Sequence, residues 1–195
     1  MAKRKKDGRT LQGREILVGV TGGIAAYKAA DLVSLLVEEG AAVSVVMTEH
    51  AQRFVGPLTF QALSRRPVYT DLFAEGAYDT DHIALADRAE AAVVAPATAN
   101  AIGKLAGGIA DDLLSTVLVA LRVPVILAPA MNEAMWNHPA VQANAETLRR
   151  RGVRFVGPEE GRLACGTEGL GRMAEPESIL DAVIEILSSG RTRRR

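Results

Sequence analysis

The sequence predicts an α/β protein built on an open, doubly wound parallel sheet. Three observations carry that expectation. Short apolar runs alternate with stretches that repeat apolar residues at helical spacing. Hydrophobic residues make up 48% of the chain but aromatics only 4%, so the core is Ala, Val, Leu and Ile, as in a sheet covered by helices. The first strand, helix and second strand follow one another through short connections, which makes a right-handed βαβ unit. A length of 195 residues suits one domain with a sizeable core, and no internal repeat is visible.

The elements follow in order. "REILVGVTGG" (14–23) reads as a strand running into a glycine turn, and a helix spans about 24–39. Ala25, Ala29, Leu32 and Leu36 form that helix's apolar stripe, and Gly40 closes it. "AAVSVVMT" (41–48) is the second strand, and 53–64 is a helix entered through Gly56-Pro57. Residues 65–87 are mixed and polar and read as irregular. "AAVVAPAT" (91–98) is the third strand; helices at about 99–106 and 111–121 follow, with a Gly-Gly pair between them. "VPVILAPA" (123–130) is the fourth strand, a helix covers about 139–151, and "VRFVGP" (153–158) is the fifth strand. Residues 159–173 are glycine-rich without a period, and the last helix begins near Pro176.

Charge is balanced at 23 basic and 23 acidic residues, but unevenly placed. The first 14 residues hold six Lys or Arg and the last five hold four Arg, leaving the body net acidic. Such a body argues against nucleic-acid binding, which needs a basic face. Residues 1–13 and 189–195 therefore read as flexible, solubilising tails around a domain at 14–188. A single cysteine excludes an internal disulfide and points to a reducing, cytoplasmic compartment. No apolar run is long enough to span a bilayer, no signal peptide is evident, and no metal site is expected.

Ligands of doubly wound sheets bind outside the carboxyl ends of the strands. Four such ends, "TGGIAAYK", "MTEH", "APATAN" and "APAMNEAMW", carry small or hydroxyl residues. Gly22 and Gly23 permit close backbone approach, and the helix after them offers free N–H groups to an anion. The stretch is neither a G-x-G-x-x-G nor a P-loop motif. Thr48, Thr98 and Asn100 stand where hydroxyls could join such a site, although each Thr also suits an ordinary helix cap. His82, among Asp79, Asp81 and Asp87, could move protons; an exposed loop histidine is the plainer reading. Cys165 lies among Gly161, Gly166, Gly169 and Gly171, a setting for a thiol on a mobile loop, and Arg172 could reach an anionic group.

Taken in order, "TGGIAAYK", "DHIALA", "APATAN", "GIADDLLST", "PAMNEAMW" and "ACGTEGLGRM" resemble the flavin-dependent cysteine decarboxylase family over about residues 14–188. The resemblance implies a flavodoxin-like Rossmann fold that binds FMN and assembles as homotrimers or dodecamers. It implies that Gly22, Gly23, Ile24, Thr48, Thr98 and Asn100 touch FMN. It implies catalytic roles for His82, for Asn132 holding the substrate carboxylate, and for Cys165 donating a proton. Ala101 stands where many relatives have Thr. The implied substrate is 4'-phosphopantothenoylcysteine, converted to 4'-phosphopantetheine in coenzyme A synthesis by thiol oxidation, CO2 loss and enethiol reduction. A neutral amide suits that carboxylate: it orients the group without the charge-assisted hold on the ground state that Arg would impose. Met131 and Met135 are expected at the substrate, keeping water out with Trp136; all three could equally serve core packing or a subunit contact. A ligase that makes the substrate is the expected partner, either separate or lost from the end of this chain. Alternatives are a decarboxylase for another cysteine-ending substrate, or a non-catalytic flavoprotein regulator. Such regulators tend to lack one of the His, Asn and Cys positions, all of which are present here.

Overall fold

The computed structural model describes residues 10–73, 81–162, 166 and 168–189. The first half runs β1 (Glu15–Val20), α1 (Ala26–Glu38), β2 (Ala42–Met47), a 3-10 turn at Ala51–Arg53, α2 (Pro57–Ser64) and β3 (Val68–Tyr69). It continues through α3 (Asp81–Arg88), β4 (Ala91–Ala97), α4 (Ala99–Gly107), α5 (Leu113–Ala120) and β5 (Val125–Pro129). The chain then forms α6 (Glu133–Trp136), α7 (Pro139–Arg150), β6 (Arg154–Phe155), β7 (Glu159–Arg162), β8 (Glu168–Arg172) and α8 (Pro176–Ser189).

Six strands make one parallel sheet in the order β3-β2-β1-β4-β5-β6. Without the two-residue edge strand β3, this is the flavodoxin-like order; with it, the Rossmann order. In either description the order reverses between β1 and β4. That gap is the topological switch point, where such sheets open a crevice.

The strands are buried on both faces because alternate residues feed two cores. From β4, Ala91, Val93 and Ala95 join the core under α1, α2 and α8, with Leu32, Phe60 and Val183. Ala92, Val94 and Ala97 join the opposite core under α3, α4, α5 and α7, with Leu85, Ile102, Val117 and Leu148. Gly19 in β1 lets α5 close in, since a Cβ there would strike the Leu114 side chain. Trp136 is buried in the second core, so packing is at least part of its role.

Four expectations need correction. The stretch 65–87, read as irregular, holds β3 and α3. β3 is a strand only because Val68 and Tyr69 add to the edge of β2 opposite Val45 and Val46. The aperiodic stretch 159–173 holds an antiparallel hairpin, β7–β8, whose pairing needs no apolar alternation. A one-turn helix, α6, follows Asn132, which caps it. The folded unit also starts before residue 14. Leu11 is 1% exposed, its N–H donates to Glu39 O, and the Gly13 N–H donates to Gly40 O.

Candidate functional site

The turns that leave β1, β2 and β4 converge on one cleft of about 440 Å³, within the range of small-molecule sites. Its floor is the switch point. Thr21, at the end of β1, donates from Oγ1 to the Pro96 carbonyl at 2.7 Å and accepts from the Thr98 N–H at 3.2 Å. One hydroxyl thus ties β1 to β4 beyond their last ladder pair, Gly19 and Val94. Thr98 in turn caps α4, accepting from the Ala101 N–H at 3.4 Å. Across the cleft, the Thr48 hydroxyl accepts from the Ala51 N–H at 3.2 Å and shapes the turn after β2.

Two glycines act differently here. A Cβ on Gly22 would overlap His50, including its backbone, so this chain itself demands glycine there. A Cβ on Gly23 would meet nothing nearer than the Thr98 side chain at 3.8 Å. Gly23 therefore keeps open a space that the protein's own atoms do not require. Beyond it α1 begins with no side-chain cap and no acidic residue in its first turn. The Ala26 N–H donates to the Gly23 carbonyl at 2.9 Å and the Lys28 N–H to the Ala25 carbonyl at 3.0 Å, so the turn closes on itself, and the positive end of the helix dipole makes this end a suitable seat for an anion. An open glycine floor, hydroxyls on three sides and an uncapped helix start fit the phosphate and polar edges of FMN.

The far wall is an ionic cluster absent from the sequence reading. Lys104 reaches Asp111 at 2.6 Å and Asp112 at 2.7 Å. Asp112 also caps α5 in a reciprocal box, accepting from the Ser115 N–H at 2.7 Å while its own N–H donates to Ser115 Oγ at 3.1 Å. Burial alone would raise the Asp112 carboxyl, but its bonds to Lys104 and Ser115 outweigh that and hold it below its usual value. Burial likewise pushes Lys104 down, and its bonds to the two aspartates bring it above its usual value. Both groups are charged near neutrality, so the wall is fixed rather than titrating.

Of the residues expected at the site, Gly22, Thr48, Thr98, Asn100 and Met135 line the cleft. Gly23 flanks it, and Ile24 stands 59% exposed at the entry to α1. Of the described others, His82, Met131, Asn132 and Arg172 do not line that cleft. His82 is half-buried on α3, which packs against α5. Met131 and Asn132 lie on the next turn along; Asn132 is exposed and its Oδ1 accepts from the Ala134 N–H at 2.8 Å. Arg172 ends β8 with its guanidinium paired to Glu159 at 3.1 Å and Glu175 at 3.2 Å. Cys165 lies outside the described residues. The sequence reading missed Thr21, Lys104 and Asp112. Thr21 sat within a quoted stretch, and its strand-end hydroxyl was the available signal.

Comparison with known proteins agrees with this geometry. A family model described as Flavoprotein matches residues 4–188. The coenzyme A biosynthesis bifunctional protein CoaBC of Bacillus subtilis (strain 168) is 57% identical over 171 residues, covering 87% of this chain and 42% of that protein. CoaBC of Mycolicibacterium smegmatis is 48% identical over 166 residues, covering 85% of this chain and 40% of that one. The chain thus spans less than half the length of these curated relatives. Among solved structures, a PPC decarboxylase mutant complexed with pantothenoylaminoethenethiol superposes with a TM-score of 0.81 at 33% identity, over 88% of this chain and 97% of that one. The FMN-dependent cysteine decarboxylase SpaF superposes with a TM-score of 0.78 at 32% identity, over 93% and 99%.

Proposed function

The chain belongs to the flavoprotein family, and from that premise we propose that it binds FMN and decarboxylates 4'-phosphopantothenoylcysteine to 4'-phosphopantetheine in coenzyme A synthesis. The observation that carries this reading is the convergence of three strand-end turns at the switch point in one cleft. The CoaBC relatives and the PPC decarboxylase structure support the substrate. The likeness to SpaF supports a second reading, a decarboxylase for another substrate ending in cysteine.

In this reading Gly22, Gly23 and Ile24 would hold FMN at the open start of α1, with Thr48, Thr98 and Asn100 around it. Bound FMN would supply hydride acceptance and return, the redox chemistry that no side chain provides. The chain's own residues do the rest. The Asn132 amide orients the carboxylate by a neutral hydrogen bond, which leaves the departing CO2 free of a charged grip. Met131 and Met135 shield that group from water. His82 holds or moves a proton at its imidazole, and Cys165 gives the final proton to the substrate carbon. Trimeric or dodecameric assembly would cover part of the surface around this site. The large apolar side chains left exposed at Ile24, Tyr27, Phe73 and Ile83 support such covering contacts. The partner reaction is a ligase that joins cysteine to phosphopantothenate, and the cytoplasm, where the thiol stays reduced, is the proposed location.

The test is direct. Purified protein is titrated with FMN and then given phosphopantothenoylcysteine. Flavin uptake and equimolar CO2 and 4'-phosphopantetheine are expected. No flavin uptake, or no CO2 from the flavin-loaded protein, overturns the proposal; CO2 from a different cysteine-ending compound alone moves the assignment to the second reading.

A further inference from the structure

Asn132 is held from outside its own turn. On its N-terminal side, the Met131 N–H donates to the Gly171 carbonyl at 3.0 Å. The two backbones approach so closely that a Cβ on Gly171 would overlap the Met131 carbonyl oxygen. On its C-terminal side, the Glu133 carboxylate lies against Gly169 and accepts from the Leu170 N–H at 3.4 Å. Both flanks of Asn132 are therefore fastened to one strand, β8, through the Gly171 carbonyl and the Leu170 N–H.

β8 is itself anchored. It pairs with β7, and Arg172 is held by Glu159 and Glu175. Glu175 also takes Lys28 at 3.0 Å, and Lys28 sits on α1 just past the Gly22-Gly23 turn. Hydrogen bonds to Lys28 hold the Glu175 carboxyl below its usual value despite burial, so the link stays ionic at neutral pH. A continuous path of contacts then runs from the start of α1, through Glu175 and Arg172, to the turn that carries Asn132.

We propose that Gly171 is a positioning residue for the decarboxylation: its missing side chain lets β8 clasp the Met131–Glu133 turn and fix the Asn132 amide relative to the start of α1. The proposal rests on the reading that Asn132 orients the substrate carboxylate. It also gives Arg172 a role as anchor of the clasp, since its guanidinium already serves two carboxylates. Gly169 is the softer half, because a side chain there meets the movable end of Glu133 and not backbone.

The experiment uses full-length, FMN-loaded protein carrying Gly171→Ala. Hydrogen exchange of the amides in residues 130–136 is expected to quicken at least tenfold, with β1 and β4 amides unchanged and FMN affinity within twofold of the parent. The kcat for CO2 release from phosphopantothenoylcysteine is expected to fall at least tenfold. In an Asn132→Ala background the same substitution is expected to cost less than a further threefold, because the group it positions is already gone. Unchanged exchange at 130–136, or losses that multiply in the double variant, overturns the proposal. If the parent releases no CO2, the functional reading fails on that arm alone, and the exchange arm still decides whether β8 holds the turn. Should Gly171→Ala not fold, Gly169→Val and Glu133→Ala replace it, each expected to quicken exchange at 130–136 at least threefold; no change in either overturns the clasp.

Discussion

Thr21 offers a sharp test of how the cleft is built. Its side chain is 2% exposed, and its one hydroxyl serves both the Pro96 carbonyl and the Thr98 N–H. Thr21→Val keeps the shape and removes both bonds. A buried polar group left unsatisfied costs about 1–3 kcal/mol. Thr98 is half-buried at the cleft rim, where water can reach its N–H, so its share falls at the low end. The Pro96 carbonyl is enclosed and takes the larger share. The sum is about 3 kcal/mol, which for a chain of this size lowers Tm by roughly 6–12 °C. With a urea m-value of about 2 kcal/mol/M, the unfolding midpoint falls by about 1.5 M. Thr21→Ser keeps the hydroxyl and loses one buried methyl, at about 1 kcal/mol.

The expected order of stability is therefore wild type, then Ser, then Val, by urea unfolding. FMN affinity is expected to follow the hydroxyl: near wild type in Thr21→Ser and at least tenfold weaker in Thr21→Val, since the seam between β1 and β4 is the floor of the site. A valine variant as stable as the serine variant would refute the reasoning, because shape rather than hydrogen bonding would then hold the seam.

Gly22→Ala and Gly23→Ala should separate folding from binding: the first costs about 1–3 kcal/mol through its clash with His50, whereas the second stays within about 0.5 kcal/mol of wild type. Both should weaken flavin titrations, and equal stability losses in the pair would contradict the geometry. Asp112→Asn keeps a helix cap but drops the charge facing Lys104. Because the Asp112 carboxyl is held below its usual value, its contribution is full above the unfolded value of about 4 and is lost as pH falls through the folded value. Melting curves should thus show wild type ahead of the variant at pH 7, by up to about 1 kcal/mol, and the gap closing in acid; a gap that does not change with pH would speak against the pair. Asn132→Asp sets like charge against the substrate carboxylate and should abolish CO2 release in a coupled assay, and retained turnover would remove Asn132 from that contact.

How legible a part of this molecule was depended on what holds it together. β1, β2, β4 and β5 announced themselves because burial on both faces forces continuous apolar runs, such as 91–97. The cleft's residues at strand ends were legible for the same reason: once the strands were placed, topology alone said where Gly22, Thr48 and Thr98 would meet. What escaped was stabilised by something other than apolar burial. β3 is two residues long and exists through pairing with Val45 and Val46, a contact that leaves no local pattern. β7 and β8 read "EEGR" and "EGLGR", with no alternating apolar face; close glycine packing and the Arg172 ion pairs hold them. Lys104 and Asp112 are joined across the turn between α4 and α5, so helical spacing on either element could not reveal the pair.

The same distinction explains why the expected site was legible as a set but not as a place. Motif order put His82, Asn132 and the glycine turns in one family-like list, yet within one chain the cleft takes from that list the turns of β1, β2 and β4 and Met135, walled by Lys104, Asp111 and Asp112. Asn132 is on the neighbouring turn and His82 on α3, which packs against α5. Strand-end chemistry follows from the fold of a single chain, because the sheet brings those ends together. Contacts made by helix faces and by a clasping hairpin depend on what packs beside them. That dependence makes the attachment of β8 to the Asn132 turn the feature that most directly links the hairpin to the turn after β5.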